Sequence, residues 1–312
     1  MKSDINKDLI MIPYANDLKK NTGENIKNKK NRLDVYLKNC CVASISAKRQ
    51  NPECDVAIVT NIDIEGTYKA LLERNEILII YVPFNDFCFD GDYKWSLAFY
   101  KLCALFNVLN DRVYRNYIYM DCDIYVQSSF KNIWKECENS ILLYDINHGF
   151  GIADYERIVS EFSEFKGKDC CVTHYGGEFF AANRENALKF INECHEIYLN
   201  MIDANFVTTK GDEFIISLAA KAFCDKVKNA SAYIYRFWTS SFYLISTCFK
   251  YNPVSILHLP NEKEKGLLKI YSKYISKQKD ITNKKVWSIC RLKDSRPLIV
   301  KLQCLVKKLL RK

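Results

Sequence analysis

Two carboxylates one residue apart, Asp121 and Asp123, close the apolar run Tyr117-Ile118-Tyr119-Met120 and are followed by Ile124, Tyr125 and Val126. Alternate residues of an extended segment point the same way, so both acids can address one ligand. Two like charges that close are costly unless a cation lies beside them. Oxygen-only ligands suit Mg²⁺ or Mn²⁺, ions that usually bridge to substrate phosphates. Three later stretches also carry groups able to do chemistry: Tyr175-Gly176-Gly177-Glu178, Gly211-Asp212-Glu213 and His258-Leu259-Pro260-Asn261-Glu262-Lys263-Glu264-Lys265-Gly266.

The elements that must hold these residues follow from the apolar pattern. Asp8–Ala15 reads as a short buried strand, then a polar Lys/Asn-rich loop runs to Lys30. Apolar residues at 33, 37, 41, 42 and 45 have a helical period over Arg32–Arg49. Strands are expected at Val56–Thr60 and Ile77–Val82, both buried, with a helix at Gly66–Arg74 between them. A helix over Asp92–Asn110 leads to the strand Tyr117–Met120. Further strands are expected at Ile141–Tyr144, Tyr175–Ala182 and Val254–Leu257, and further helices at Arg184–Asn200 and Asp212–Phe223. This alternation predicts an α/β fold with a mainly parallel sheet covered on both faces. Ligands bind at the carboxyl ends of the strands of such sheets, which is where Asp121 and Asp123 stand. One domain is expected over residues 1–266, followed by a helical extension over 267–312.

A D-x-D after an apolar strand occurs in two enzyme classes. In haloacid-dehalogenase-type phosphatases the first Asp is a nucleophile, but that pattern wants its motif on the first strand and Thr or Val where Tyr125 stands. The layout resembles more closely the GT-A fold of nucleotide-sugar glycosyltransferases, and within it families 8 and 6. There a helix with a basic residue before Leu, here Lys101-Leu102, precedes the strand that ends in D-x-D. The likeness spans roughly residues 8–266 and rests on short motifs.

The resemblance implies a UDP-sugar donor, a carbohydrate or lipid-linked glycan acceptor, and Mn²⁺ or Mg²⁺ on Asp121 and Asp123, with His258 as third ligand. Family 8 follows that His with Gly-x-x-Lys-Pro; here the glycine and proline are missing, and Lys265-Gly266 is the nearest match for holding the diphosphate, with Lys263 as second choice. Tyr14 and Ala15 stand where these families hold the nucleoside, although Tyr14 also suits an ordinary core. Lys101 and Cys122 fall beside the donor, or Lys101 is solvated. Gly176 and Gly177 resemble the acceptor-side strand, since paired glycines let a backbone approach a flat sugar. Glu178 is expensive to bury without a partner; it is an acceptor-side carboxylate or an edge residue of a bulge. Asp212 and Glu213 either face the acceptor and the anomeric carbon or simply favour a helix N-terminus. Glu178, Asp212 and Glu213 are thus the candidate catalytic carboxylates, as nucleophile, base or charge stabiliser. Retention of anomeric configuration is implied by the two families alone. His148, His174 and His195 receive no role.

Charge narrows the partners. The chain has 312 residues and a formal charge of +9, but residues 291–312 hold eight basic residues against Asp294 alone. A nearly neutral body excludes a nucleic-acid groove across the fold. The tail Pro297–Lys312 places Leu298, Leu302, Leu305, Val306 and Leu309 on one helical face and basic residues on the other, a pattern that lies on anionic lipid. The opening residues lack a secretory pattern and no apolar run is long enough to span a bilayer, so a cytoplasmic protein at the inner membrane face is expected. Its 14 cysteines, without a C-x-x-C, then read as reduced and buried. A membrane-bound scaffold with a dead transfer site is the rival from another class.

Overall fold

The computed structural model describes residues 4–17, 31–89, 95–146, 152–167, 173–239 and 254–292, with Leu302, Val306 and Leu309 of the tail. The loop expected before Lys30, His148, Cys170-Cys171 and most of Pro297–Lys312 lie outside them.

Seven strands form the main sheet in the order β3-β2-β1-β4-β7-β6-β8. They are β1 (Asp4–Tyr14), β2 (Asp55–Thr60), β3 (Ile77–Tyr81), β4 (Tyr114–Met120), β6 (Ile141–Asp145), β7 (Tyr175–Asn183) and β8 (Val227–Asn229). Every pairing from β3 to β4 is parallel, and only β7 runs against the rest. The run Leu9-Ile10-Met11-Ile12 is fully buried because β1 lies in the middle, covered on both faces. Its side chains alternate between two cores. Ile10 and Ile12 pack beneath α1 (Arg32–Gln50), while Leu9 and Met11 pack beneath α3 (Tyr100–Asp111) and α6 (Arg184–Asp203).

Two registers matter for function. Met120 pairs with Phe179, so the ends of β4 and β7 meet, and the Asp121 amide donates to the Glu178 carbonyl at 3.1 Å. A second, three-stranded sheet in the order β5-β10-β9 stands at that end. It joins β5 (Ile124–Val126), β9 (Ile234–Arg236) and β10 (Ile256–His258). His258 pairs with Ile124 on one side and with Arg236 on the other. The small sheet therefore carries His258 and Arg236 to the D-x-D.

Several expectations shift. β3 is an edge strand, with Leu78 and Tyr81 exposed, and not a buried one. The helix expected from Asp92 opens as a 3₁₀ turn at Ser96–Phe99 and becomes α-helical only at Tyr100. β5, β8 and β9, the short helix α4 (Ile133–Cys137) and α5 (Ile152–Lys166) are further elements without a sequence signal strong enough to place them. After β10, short helices at Gly266–Ile270 and Asn283–Ile289 set Leu267, Ile270 and Val286 into the core beneath α1.

Candidate active site

Asp121, Asp123 and His258 converge beyond the carboxyl end of β4. Their candidate ligand atoms all lie within 4.8 Å of one another. His258 Nε2 is 3.7 Å from Asp121 Oδ2 and 3.4 Å from Asp123 Oδ1. Asp121, Asp123 and His258 are thus close enough together to hold one small divalent cation among them. Asp123 Oδ2 is buried, and the group near it is the Lys263 ammonium, 3.0 Å away. Carboxylate oxygens with one imidazole nitrogen form a donor set that a hard divalent ion accepts.

Two lysines flank the acids. Lys101, from the second turn after Ser96, lies 3.0 Å from Asp121 Oδ1 and 3.0 Å from Asp212 Oδ2. Lys263 lies 3.0 Å from Asp123 Oδ2, with its ammonium 5.8 Å from the centre of the Tyr36 ring. Tyr36 in turn stacks on Tyr14, with ring centres 5.2 Å apart. A continuous path thus links the end of β1 to the D-x-D.

Burial sets the electrostatics. It opposes charge on Asp123, yet Lys263 and His258 hold that carboxyl well below its usual range. Burial would also lower His258, but Asp123 and Glu178 raise it to about 9. Lys101 is desolvated too, and Asp121 and Asp212 keep it firmly charged. Asp212 goes the other way: burial, reinforced by Glu213 and Asp121, lifts it to about 7 against the pull of Lys101. Partly exposed Glu213 is held at about 2 by His174 and Arg236, against its own desolvation.

Glu178 is fully buried and accepts from three groups. Arg236 donates through Nε at 2.7 Å and Nη2 at 2.5 Å, and His258 Nδ1 lies 3.1 Å from Oε1. Arg236 Nη2 also reaches Glu213 Oε1 at 3.1 Å, and His174 Nε2 lies 2.9 Å from Glu213 Oε2. The glycines make this possible. A Cβ on Gly176 would fall 1.9 Å from Glu178 Oε2, and one on Gly177 would fall 2.1 Å from Asp212 Oδ2. Both glycines are buried, and the space they leave is taken by carboxylates. Gly211, at φ 65°, turns the chain into α7 (Asp212–Ala222), which delivers Asp212 and Glu213.

The other expected residues fall as follows. Ala15 is buried beside Tyr14, and Cys122 is buried between the acids. Lys265 is exposed at the start of the Gly266–Ile270 helix, while Lys263, the second choice, is the lysine at the acids. Buried Gly266 gives its amide to Glu262 at 3.0 Å. Arg236, Tyr36 and His174 belong to the cluster without having stood out in sequence. Arg236 sits on a three-residue strand with no motif, and nothing short of the fold brings it to Glu178.

No protein-family model matches the chain, and no curated protein sequence matches it. Solved structures do. Mouse xyloside xylosyltransferase 1 superposes with a TM-score of 0.51 at 12% identity, over 81% of this chain and 97% of that one. The galactosyltransferase LgtC, in complex with donor and acceptor sugar analogues, gives 0.53 at 13% identity, over 90% and 99%. The fold is GT-A. Its mixed, mainly parallel sheet is the expected one. Asp121 ends the fourth strand in sequence, not the first, where the phosphatase pattern wants its motif. No described helix of this GT-A chain is long and apolar enough to cross a membrane.

Proposed function

We propose that the chain is a metal-dependent glycosyltransferase that moves a sugar from a UDP-sugar to a glycan or lipid-linked glycan acceptor, with retention, in surface polysaccharide synthesis. The observation that carries this reading is the convergence of Asp121, Asp123 and His258 between two partly buried lysines on a GT-A framework. Similar structures that are a xylosyltransferase and a galactosyltransferase support the class of reaction. Mn²⁺ or Mg²⁺ on these three residues would supply Lewis-acid charge where a diphosphate departs. Lys263 adds positive charge on the same side, a role for which it is better sited than exposed Lys265. The buried Tyr14–Tyr36 stack at the end of β1, next to Ala15, would border a nucleobase bound there.

Among the carboxylates, Asp212 is the one suited to proton transfer near neutrality, because its pKa of about 7 lies near the working pH. Glu213 is held ionised by Arg236 and His174, and Glu178 is occupied by Arg236 and His258. Lys101 joins Asp212 to Asp121, so the metal side and the reacting side share one cation. The tail from Pro297 would keep this site at the cytoplasmic face of an anionic membrane. Leu302, Val306 and Leu309 are each at least half exposed, which supports an apolar face open to lipid.

Calorimetry of UDP binding tests the proposal. UDP is expected to bind the full-length chain in the presence of Mn²⁺ and only weakly with EDTA. Absence of UDP binding under both conditions, with turnover of simple phosphoesters, would overturn it.

A further inference from the structure

We infer that Glu178 and Arg236 form a positioning relay for His258, aiming its Nε2 at the ion that Asp121 and Asp123 bind. This rests on the metal centre proposed above. A ligating imidazole is oriented by the partner of its other nitrogen, and a carboxylate there also raises its basicity. His258 has that arrangement. Nδ1 lies 3.1 Å from Glu178 Oε1, and Nε2 faces Asp121 and Asp123 at 3.7 and 3.4 Å.

Three further observations carry the relay. Glu178 cannot drift, because Arg236 grips both its oxygens, at 2.7 and 2.5 Å. Arg236 is itself fixed, since its Nη2 also reaches Glu213 at 3.1 Å and its backbone is paired with His258 in the small sheet. Gly176 leaves the carboxylate its place, because any side chain there would begin 1.9 Å from Glu178 Oε2. Glu178 has no exposed surface from which to meet a sugar. Its role is therefore toward the imidazole, with Nδ1–H donating to the carboxylate and the Nε2 lone pair left for the ion. Arg236 and Glu178 are positioning residues, not catalytic ones.

The test measures Mn²⁺ affinity by calorimetry on the full-length chain, for wild type, His258→Ala, Glu178→Gln, Arg236→Lys and Gly176→Ala. Loss of a group that orients a ligand typically weakens metal binding about 10–100-fold. Glu178→Gln is expected to show a loss of that size, with smaller losses in Arg236→Lys and Gly176→Ala. Alongside it, ¹⁵N-imidazole NMR of the Mg²⁺-loaded wild type should show His258 protonated at Nδ1 and not at Nε2. If Glu178→Gln does not fold, this second measurement decides alone. A wild type in which Nε2 carries the proton overturns the relay. So does a Glu178→Gln variant with wild-type Mn²⁺ affinity when His258→Ala has lost it, and in that case the metal centre itself survives. Wild type that binds no Mn²⁺ overturns both.

Discussion

Glu213 lies between His174 and Arg236, and that pairing has a consequence in acid. Burial works against its charge, but His174 and Arg236 bring the folded-state pKa to about 2, below the ordinary 4.5. A depressed carboxylate pKa contributes stability that is complete above the unfolded value and is lost as pH falls through the folded one. Glu213 should therefore contribute on the order of 2 kcal/mol at neutral pH, discounted because the side chain is 21% exposed. Urea unfolding of wild type and Glu213→Gln would read this. The gap between them should be constant from about pH 7 to 6 and narrow below about pH 4.5. At this scale the sequence displayed the acids and His258 well. Asp121, Asp123 and His258 stood out because acids closing an apolar strand and a histidine ending another are unusual positions, and the fold brings the three together. Arg236 was not, since an arginine in a short aromatic segment looks like any surface residue until Glu178 is seen buried opposite it. Choosing Lys263 over Lys265 needed the turn at Pro260–Glu262, which points one lysine inward and leaves the other outside.

The pair Gly176-Gly177 shows what an element must leave out. As sequence, two glycines in a strand suggest an approach by a flat sugar. In the fold they are buried, and their missing side chains are replaced by Glu178 with Arg236 and by Asp212. Gly177→Ala should cost about 1–3 kcal/mol in chemical unfolding, the usual penalty for overpacking, because the added methyl meets the Asp212 carboxylate. It should also reduce transfer activity, since Asp212 and Lys101 would have to move together. A Gly177→Ala protein of unchanged stability would contradict the packing. The parallel half was readable because β1, β2 and β4 are continuous apolar runs separated by periodic helices. In the small sheet β10 overlaps the expected strand Val254–Leu257, but β5 and β9 did not stand out, because all three have three residues each and get their stability from neighbours, not from pattern. Yet those nine residues bring His258 and Arg236 to the D-x-D.

Across the whole molecule, charge separates from chemistry. The Asp121, Asp123 and His258 cluster lies at the junction of two sheets, while the positive excess lies in the tail. The junction between them is pinned: Arg291 donates to buried Glu262 at 3.0 and 2.8 Å, and Glu262 also holds the Gly266 amide. Truncation at residue 291 would therefore leave a buried carboxylate without its arginine, and a cut after Leu292 is the cleaner experiment. Removing residues 293–312 should abolish co-sedimentation with phosphatidylglycerol vesicles while leaving turnover of a soluble acceptor unchanged. Equal vesicle binding with and without the tail would contradict its membrane role. The central claim is a metal-assisted transfer from a UDP-sugar, and UDP release tests it most directly. With Mn²⁺ and a panel of UDP-sugars, the full-length chain should release UDP from at least one donor, EDTA should stop the release, and Asp123→Ala should lower it by about a hundredfold or more. No release from any donor, or undiminished release by Asp123→Ala, would contradict the account.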